Sequence, residues 1–396
     1  MPATGPVQLN DRQRFAAHMH YEPVDRCPIW DFNYLEATTI AWRNQGLPPG
    51  SDPERLLGLD RQWVFLSPHL GPFPPFRREV IEDLGDRELF RDEDGIVAVK
   101  IKHTMGMPHW VEFPIKSRDD WREYRRRLDP DTLGRIPADW NQRCRELADR
   151  DYPLFISAGS LYGWPRNWMG VETLSRLLYR DPTLFPEITE TLAYLITTVL
   201  DRALQQAREA GLTFDAAQMW EDMCYRDGPL LSPRMVREHM APHYRAITSV
   251  LARHGVDLVI VDSDGRIDSL LPIWLGAGVN CHFPIEVGTW QADPVELRRR
   301  FGRDLRMMGG FDKRILTAGP AAIDREIDRL APLAAEGGYI PFCDHRVPPD
   351  VPLQHYIHYI RRAKEVFGRG RNVRPTWSPA PDAARPATHT PVQEKS

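Results

Sequence analysis

The chain has 396 residues, a formal net charge of −4, 42% hydrophobic residues and 27% charged ones. This is the profile of a globular, enzyme-sized protein with one large core or two modest ones. No apolar run reaches the ~18 residues of a membrane helix, Met1 to Arg14 has no apolar segment like that of a secretory signal, and without a long block of like charge a nucleic-acid partner is not expected.

Pro is abundant, at 36 residues against a usual share of about 5%. The five Cys (27, 144, 224, 281 and 343) are scattered and form no C-x-x-C pair. They read as reduced thiols of a cytoplasmic protein.

In chain order, residues 1–10 are featureless and are expected to be disordered. Cys27–Phe32 reads as a first strand. Asp92–Gly95 is a turn, and with the strand-like runs Ile96–Met105 and Trp110–Ile115 it predicts an inserted β-hairpin. Pro153–Ser157 is a second strand. A long helix is expected from about Pro182 to Ala210, with Leu192, Leu195, Ile196, Val199 and Leu200 on one face.

Phe214–Trp220 follows, then a helix begun by Ser232 and Pro233, a Ser cap with Pro at the first helical position. Strands are expected at Val256–Val261, Val279–Ile285, Leu305–Met308 and Tyr339–Phe342. Helices are expected at Leu270–Leu275, Pro294–Phe301, Pro320–Ala335 and Pro352–Phe367. Gly255, Gly278, Gly302 and Gly337-Gly338 stand where left-handed helix caps are needed.

Repeated strand–helix units imply parallel strands with right-handed crossovers. Seven or more of them, without a GxGxxG after the first strand, predict a (β/α)8 TIM barrel over residues 11–368. The Pro-rich segment 369–396 predicts a disordered tail.

In such a barrel the chemistry sits at the C-terminal ends of the strands. Those ends hold Asp31 to Tyr34, Ser160 to Trp168, Trp220 to Met223, Asp262 to Gly265, His282 to Glu286, Gly309 to Arg314 and Cys343 to Arg346. Six of the seven carry a carboxylate. Helix capping explains Asp264, Asp268 or Asp344 singly. It is a poor account of Glu221, Asp262, Asp264, Glu286, Asp312, Asp344 and His345 together, because like charges on one rim need a cation, an Arg or a proton among them. Interleaved aromatics (Trp30, Phe32, Tyr162, Trp164, Trp168, Trp220, Trp290) suit a small-molecule pocket. His239 and His243, four apart but mid-helix around Pro242, read as packing or surface residues.

At these residues the chain resembles the uroporphyrinogen decarboxylase superfamily, which includes zinc-dependent methyltransferases that take a methyl group from a corrinoid. The resemblance runs from about Asn10 to Phe367. It is carried by Arg12–Phe15 with Glu22–Pro28, by Met308-Gly-Gly-Phe-Asp312, and by Gly337–His345 with Pro348 and Pro352. It implies a metal site at which the methyltransferases place His-x-Cys and a final Cys. Here those positions are Asp262, Asp264 and His345. The decarboxylase's Arg-rich loop after the first strand is replaced by Trp30-Asp-Phe-Asn-Tyr34, which argues against a porphyrin with many carboxylates.

The expectation is a methyltransferase moving a methyl group between a small substrate and a corrinoid or thiol acceptor. A divalent metal (Zn, Mn or Fe) would be held by Asp262, Asp264, His345 and Glu221, with Asp312 as a further catalytic residue. Trp30, Asn33, Tyr162, Arg166, Trp220, Glu286 and Arg346 are the expected substrate contacts. A separate corrinoid carrier and a homodimer are compatible with this reading. The alternative is a decarboxylase of a smaller carboxylic acid, with Asp262 or Asp312 facing a developing cation and His345 moving the proton. A non-catalytic tetrapyrrole carrier is the third class.

Overall fold

The computed structural model describes residues 8–102, 106–368 and 377. Most of the expected terminal segments 1–10 and 369–396 lies outside them. Within the first of these, Asn10 is ordered: it caps the helix Asp11–Met19 and forms a capping box with Gln13. Within the second, Trp377 packs against the main core.

Seven strands form one parallel sheet in sequential order. They are β1 (Val64–Phe65), β2 (Leu154–Ser157), β3 (Ala216–Trp220), β4 (Val259–Asp262), β5 (Cys281–Ile285), β6 (Arg306–Gly309) and β7 (Tyr339–Ile340). Helices cross over between most neighbours, among them Leu184–Glu209, Ala241–Arg253, Pro294–Phe301 and Pro320–Glu336, and Leu353–Phe367 follows β7. Sequential order in a curled parallel sheet is the TIM-barrel-like arrangement.

Cys27–Phe32 departs from expectation, since it carries no ladder pairing among the described residues. It is held by single bonds on two sides: Ile29 O accepts from Asp60 N–H, just before β1, and the Asp31 carboxylate accepts from Cys343 N–H, just after β7. Conversely, β1 is too short and too exposed to show in the sequence.

Strand periodicity sorts the core into two faces. Leu258 and Ile260 of the β4 segment, Cys281 and Phe283 of β5, Met308 and Ile340 face one cluster, which Phe15 and Met19 of the first helix also join. Their alternates Val259, Val261, Met307 and Tyr339 face the helices, as does Ile285 beyond a register shift in β5. Burial on both faces explains why these strands read as continuous apolar runs. The same parity puts Gln218 and Asp262 on the inner face.

The insertion is larger than a hairpin. Glu79–Asp83, Arg87–Arg91, Val97–Ile101 and His109–Glu112 form a four-stranded antiparallel sheet. The first of these strands is exposed throughout, so no buried period marks it.

Helix starts follow their signals. Ser232 Oγ accepts from Met235 N–H ahead of Pro233–His239. Ser232→Ala is expected to lower stability by about 1 kcal/mol, read as a shift in urea midpoint. Gly255, Gly278, Gly302, Gly337 and Gly338 all have positive φ, as the caps require. Among the described residues no helix is long and apolar enough to cross a membrane.

Candidate active site

The C-terminal ends of β4 and β5 and the segment after β7 bring Asp264, Glu286 and His345 together. Asp264 Oδ2 lies 3.7 Å from His345 Nε2, and both side chains are part-exposed at the rim. Glu286 is buried and accepts from Gly265 N–H at 2.8 Å. Burial, then the Asp264 carboxylate, push its pKa up, opposed by hydrogen bonds from Gly265 and Thr289 and by His345. Gly265 has φ +81°, and a Cβ there would stand 2.5 Å from the Cys224 carbonyl oxygen. Only glycine therefore lets this loop pass.

Beneath the rim, Asp262 accepts from Gln218 Nε2 at 2.9 Å. Desolvation, then Asp264 and Asp222, push its pKa well above the usual carboxylate range, opposed by the Gln218 hydrogen bond. Phe32 closes the mouth from the side, its ring 5.0 Å from the His345 ring and 4.9 Å from Phe283. The rim is also where backbone strain collects: Asn33 (φ 82°), Asp222 (φ 38°) and Gln291 (φ 60°) lie in the left-handed region, each at a cost of about 1–3 kcal/mol.

Other expected site residues sit elsewhere. Glu221 is fully buried. Its oxygens accept from Leu161 N–H at 2.9 Å, Tyr162 N–H at 2.7 Å and Ser160 Oγ–H at 3.1 Å, at the start of the helix Gly163–Met169. Its lone pairs are therefore committed to that helix start, which corrects its expected place as a metal ligand. Asp312 caps its own turn through Arg314 N–H and pairs with the Arg314 guanidinium at 2.7 Å. Asp344, too, binds backbone: it accepts from Gly288 and Lys313 N–H.

Arg166 is pinned to Asp222 at 2.7 Å and stands over the Trp220 ring. Trp30 and Tyr162 are core residues. Asn33 and Arg346 are exposed. Trp220, Arg166 and Tyr225 line an aromatic cleft of about 390 Å³ with Trp110 and Phe113. His239 and His243 straddle a helix break at Met240. All five cysteines are free and buried.

The donor chemistry does not match the expected four-ligand cage. Among the described residues no three His, Cys, Asp or Glu side chains are grouped to hold a metal ion. Two features escape a reading of the sequence. Gln218 shows only as one polar residue inside an apolar strand. Asp31 stands among the strand ends, but nothing marks its buried bond to Tyr356.

A curled parallel sheet with acids and an imidazole on its C-terminal rim places the chain in the α/β, TIM-barrel-like class of folds. The chain belongs to the uroporphyrinogen decarboxylase family, whose model matches residues 97–366. It is 24% identical over 206 residues to a uroporphyrinogen decarboxylase of Shigella dysenteriae serotype 1, covering 50% of this chain and 53% of that protein. A counterpart from Escherichia coli strain K12 / DH10B is 23% identical over the same length. The chain thus matches about half the length of these relatives. In fold it is similar to a methyltransferase from Methanosarcina mazei, with a TM-score of 0.55 and 14% identity, covering 90% of this chain and 99% of that one.

Proposed function

We propose that this chain is a carboxy-lyase that removes carbon dioxide from a small carboxylic acid by proton transfer on the β4–β5–β7 rim. The observation that carries the reading is the Asp264–His345 pair, 3.7 Å apart, beside the protonation-prone Glu286. A carboxylate and an imidazole within reach of one substrate are the usual partners of general acid–base catalysis. In the reaction the carbon–carbon bond to the carboxylate breaks and its electron pair stays on carbon. The His345 imidazolium delivers a proton there, and carbon dioxide leaves. Asp264 orients and stabilises the imidazolium. Asp262 lies beneath them, where burial and the neighbouring carboxylates disfavour its charge.

The test is release of carbon dioxide from candidate acids by the purified chain without added corrinoid. His345→Gln is expected to cut the rate about a hundredfold, the lower range for loss of a general acid. A full rate in that variant, or no carbon dioxide from any candidate acid, refutes the reading.

Methyl transfer is the second reading, supported by Asp262, Asp264 and His345 sharing one rim. The divalent metal and the corrinoid, with its carrier, would then be supplied from outside. Transfer from methylcobalamin that depends on added metal would favour it.

A further inference from the structure

Beside the acid–imidazole rim lies a cavity of about 550 Å³, lined among others by Arg226, Arg266, Arg314, Thr289, Trp290 and Gln291. Its three arginines come from three different places: the hairpin tip between Cys224 and Pro229, the loop after β4 and the turn after β6. The fold holds these places together. Arg266 N–H donates to Tyr225 O at 2.8 Å, tying the β4 loop to the hairpin. Thr289 is hydrogen-bonded to Glu286, tying the cavity wall to the rim.

The charges are arranged with the cations outward. Arg266 pairs with Asp268 and Arg314 with Asp312, yet the arginine side chains are 50% and 61% exposed against 24% and 13% for their acids. Each of these two arginines is thus more exposed than the acid it pairs with, and each pair uses the Nε and Nη2 edge of its guanidinium. Among the described residues Arg226 makes no ion pair. Asp227 is the acid among the residues that line the cavity. Trp290 and Gln291 complete the wall, and Gln291 is held at φ 60°.

Guanidinium forks are matched to carboxylate and phosphate oxygens. We infer that this cavity seats the anionic group, carboxylate or phosphate, that a substrate carries in addition to the group undergoing reaction. This names the substrate class as an acid with at least two anionic groups. It rests on the proposed function only for which bond then reacts.

The experiment is calorimetric titration of the full-length chain at low ionic strength with inorganic phosphate and, separately, with tricarballylate. Saturable binding of either probe is expected. Arg226→Gln and Arg266→Gln should each weaken it about tenfold, the loss of one charge-assisted hydrogen bond. Binding of phosphate alone identifies a phosphorylated substrate and binding of tricarballylate alone a polycarboxylic one; either supports the site. No binding of either probe, or binding as tight as the parent's in both Gln variants, overturns it. Because both positions are exposed, the variants are expected to fold, and a circular dichroism spectrum unlike the parent's would call for Arg226→Lys instead, expected to bind between parent and Gln variant. A chain that binds tricarballylate as expected yet releases no carbon dioxide keeps the site and loses the decarboxylase reading.

Discussion

Glu221→Ala is expected to cost about 3–5 kcal/mol of folding stability, the largest effect of any single substitution at the rim. The carboxylate is fully buried and holds the Leu161 and Tyr162 amides and the Ser160 hydroxyl. Each donor left unsatisfied in a dry interior costs about 1–3 kcal/mol, and the emptied volume adds a packing loss. Burial raises the pKa of this group, so an acceptor matters here more than a charge. Glu221→Gln keeps one acceptor oxygen and is expected to lose markedly less. Urea unfolding of the two variants checks the ranking. If the Ala variant unfolds at the parent's midpoint while activity vanishes, Glu221 acts on substrate or metal directly and the structural role is wrong.

That residue also shows where sequence reading reaches its end. The order of strands and helices was legible because period-two apolar runs, Pro at helix starts and Gly at helix ends are local signals. Ser232-Pro233 and Gly337-Gly338 stand where they were expected. Strand ends were legible for the same reason, so Asp262, Asp264, Glu286 and His345 could be placed on one rim from spacing alone.

What spacing does not carry is the partner of each side chain. Glu221 and Asp264 look equivalent in sequence, yet one is enclosed by an amide 60 residues upstream and its neighbours, while the other reaches an imidazole. Arg166 looks like a free cation but is spent on Asp222, whereas Arg226, on a two-residue-strand hairpin with no pattern at all, lines a cavity. The same limit explains the insertion: Glu79–Asp83 is exposed along its whole length, and a strand without a buried face leaves no period to detect. Cys27–Phe32 fails in the opposite direction. Its apolar pattern is that of a strand, but its tertiary bonds are scattered backbone and side-chain bonds to Asp60, Gln62, Cys343 and Phe367 and not a ladder.

Asp31→Asn is expected to be more stable than the parent at pH 8, by up to about 3 kcal/mol, and no more stable at pH 4. The carboxyl is buried and accepts from Tyr356 O–H at 2.5 Å, Phe32 N–H at 2.8 Å and Cys343 N–H at 3.2 Å. Burial pushes its pKa up to about 6 against those three lowering bonds. In the unfolded chain an Asp titrates near 3.9. Between about pH 4 and 6 the folded protein therefore keeps a proton that the unfolded chain has released. Stability must fall as pH rises through that window, by about 1.4 kcal/mol for each pH unit crossed. Asn carries the neutral form permanently and removes the fall.

Glu54, raised to about 7 by burial and by Asp52 and Asp31, adds a fall of the same sign that shrinks in the variant, where the Asp31 charge is gone. The parent-minus-variant difference, measured by urea unfolding at pH 4, 6 and 8, reports Asp31 together with its coupling to Glu54. Tyr34 and Tyr356, joined at 2.9 Å, stay protonated throughout, since burial raises both. An equal difference at all three pH values would show that Asp31 does not titrate there and that Asn changes only packing. A difference that grows with pH means the fold carries an unfavourable buried charge at neutral pH, beside Cys343 and two residues from His345. Such a cost at a strand end is consistent with stability being given up where the last segment is held in place for chemistry.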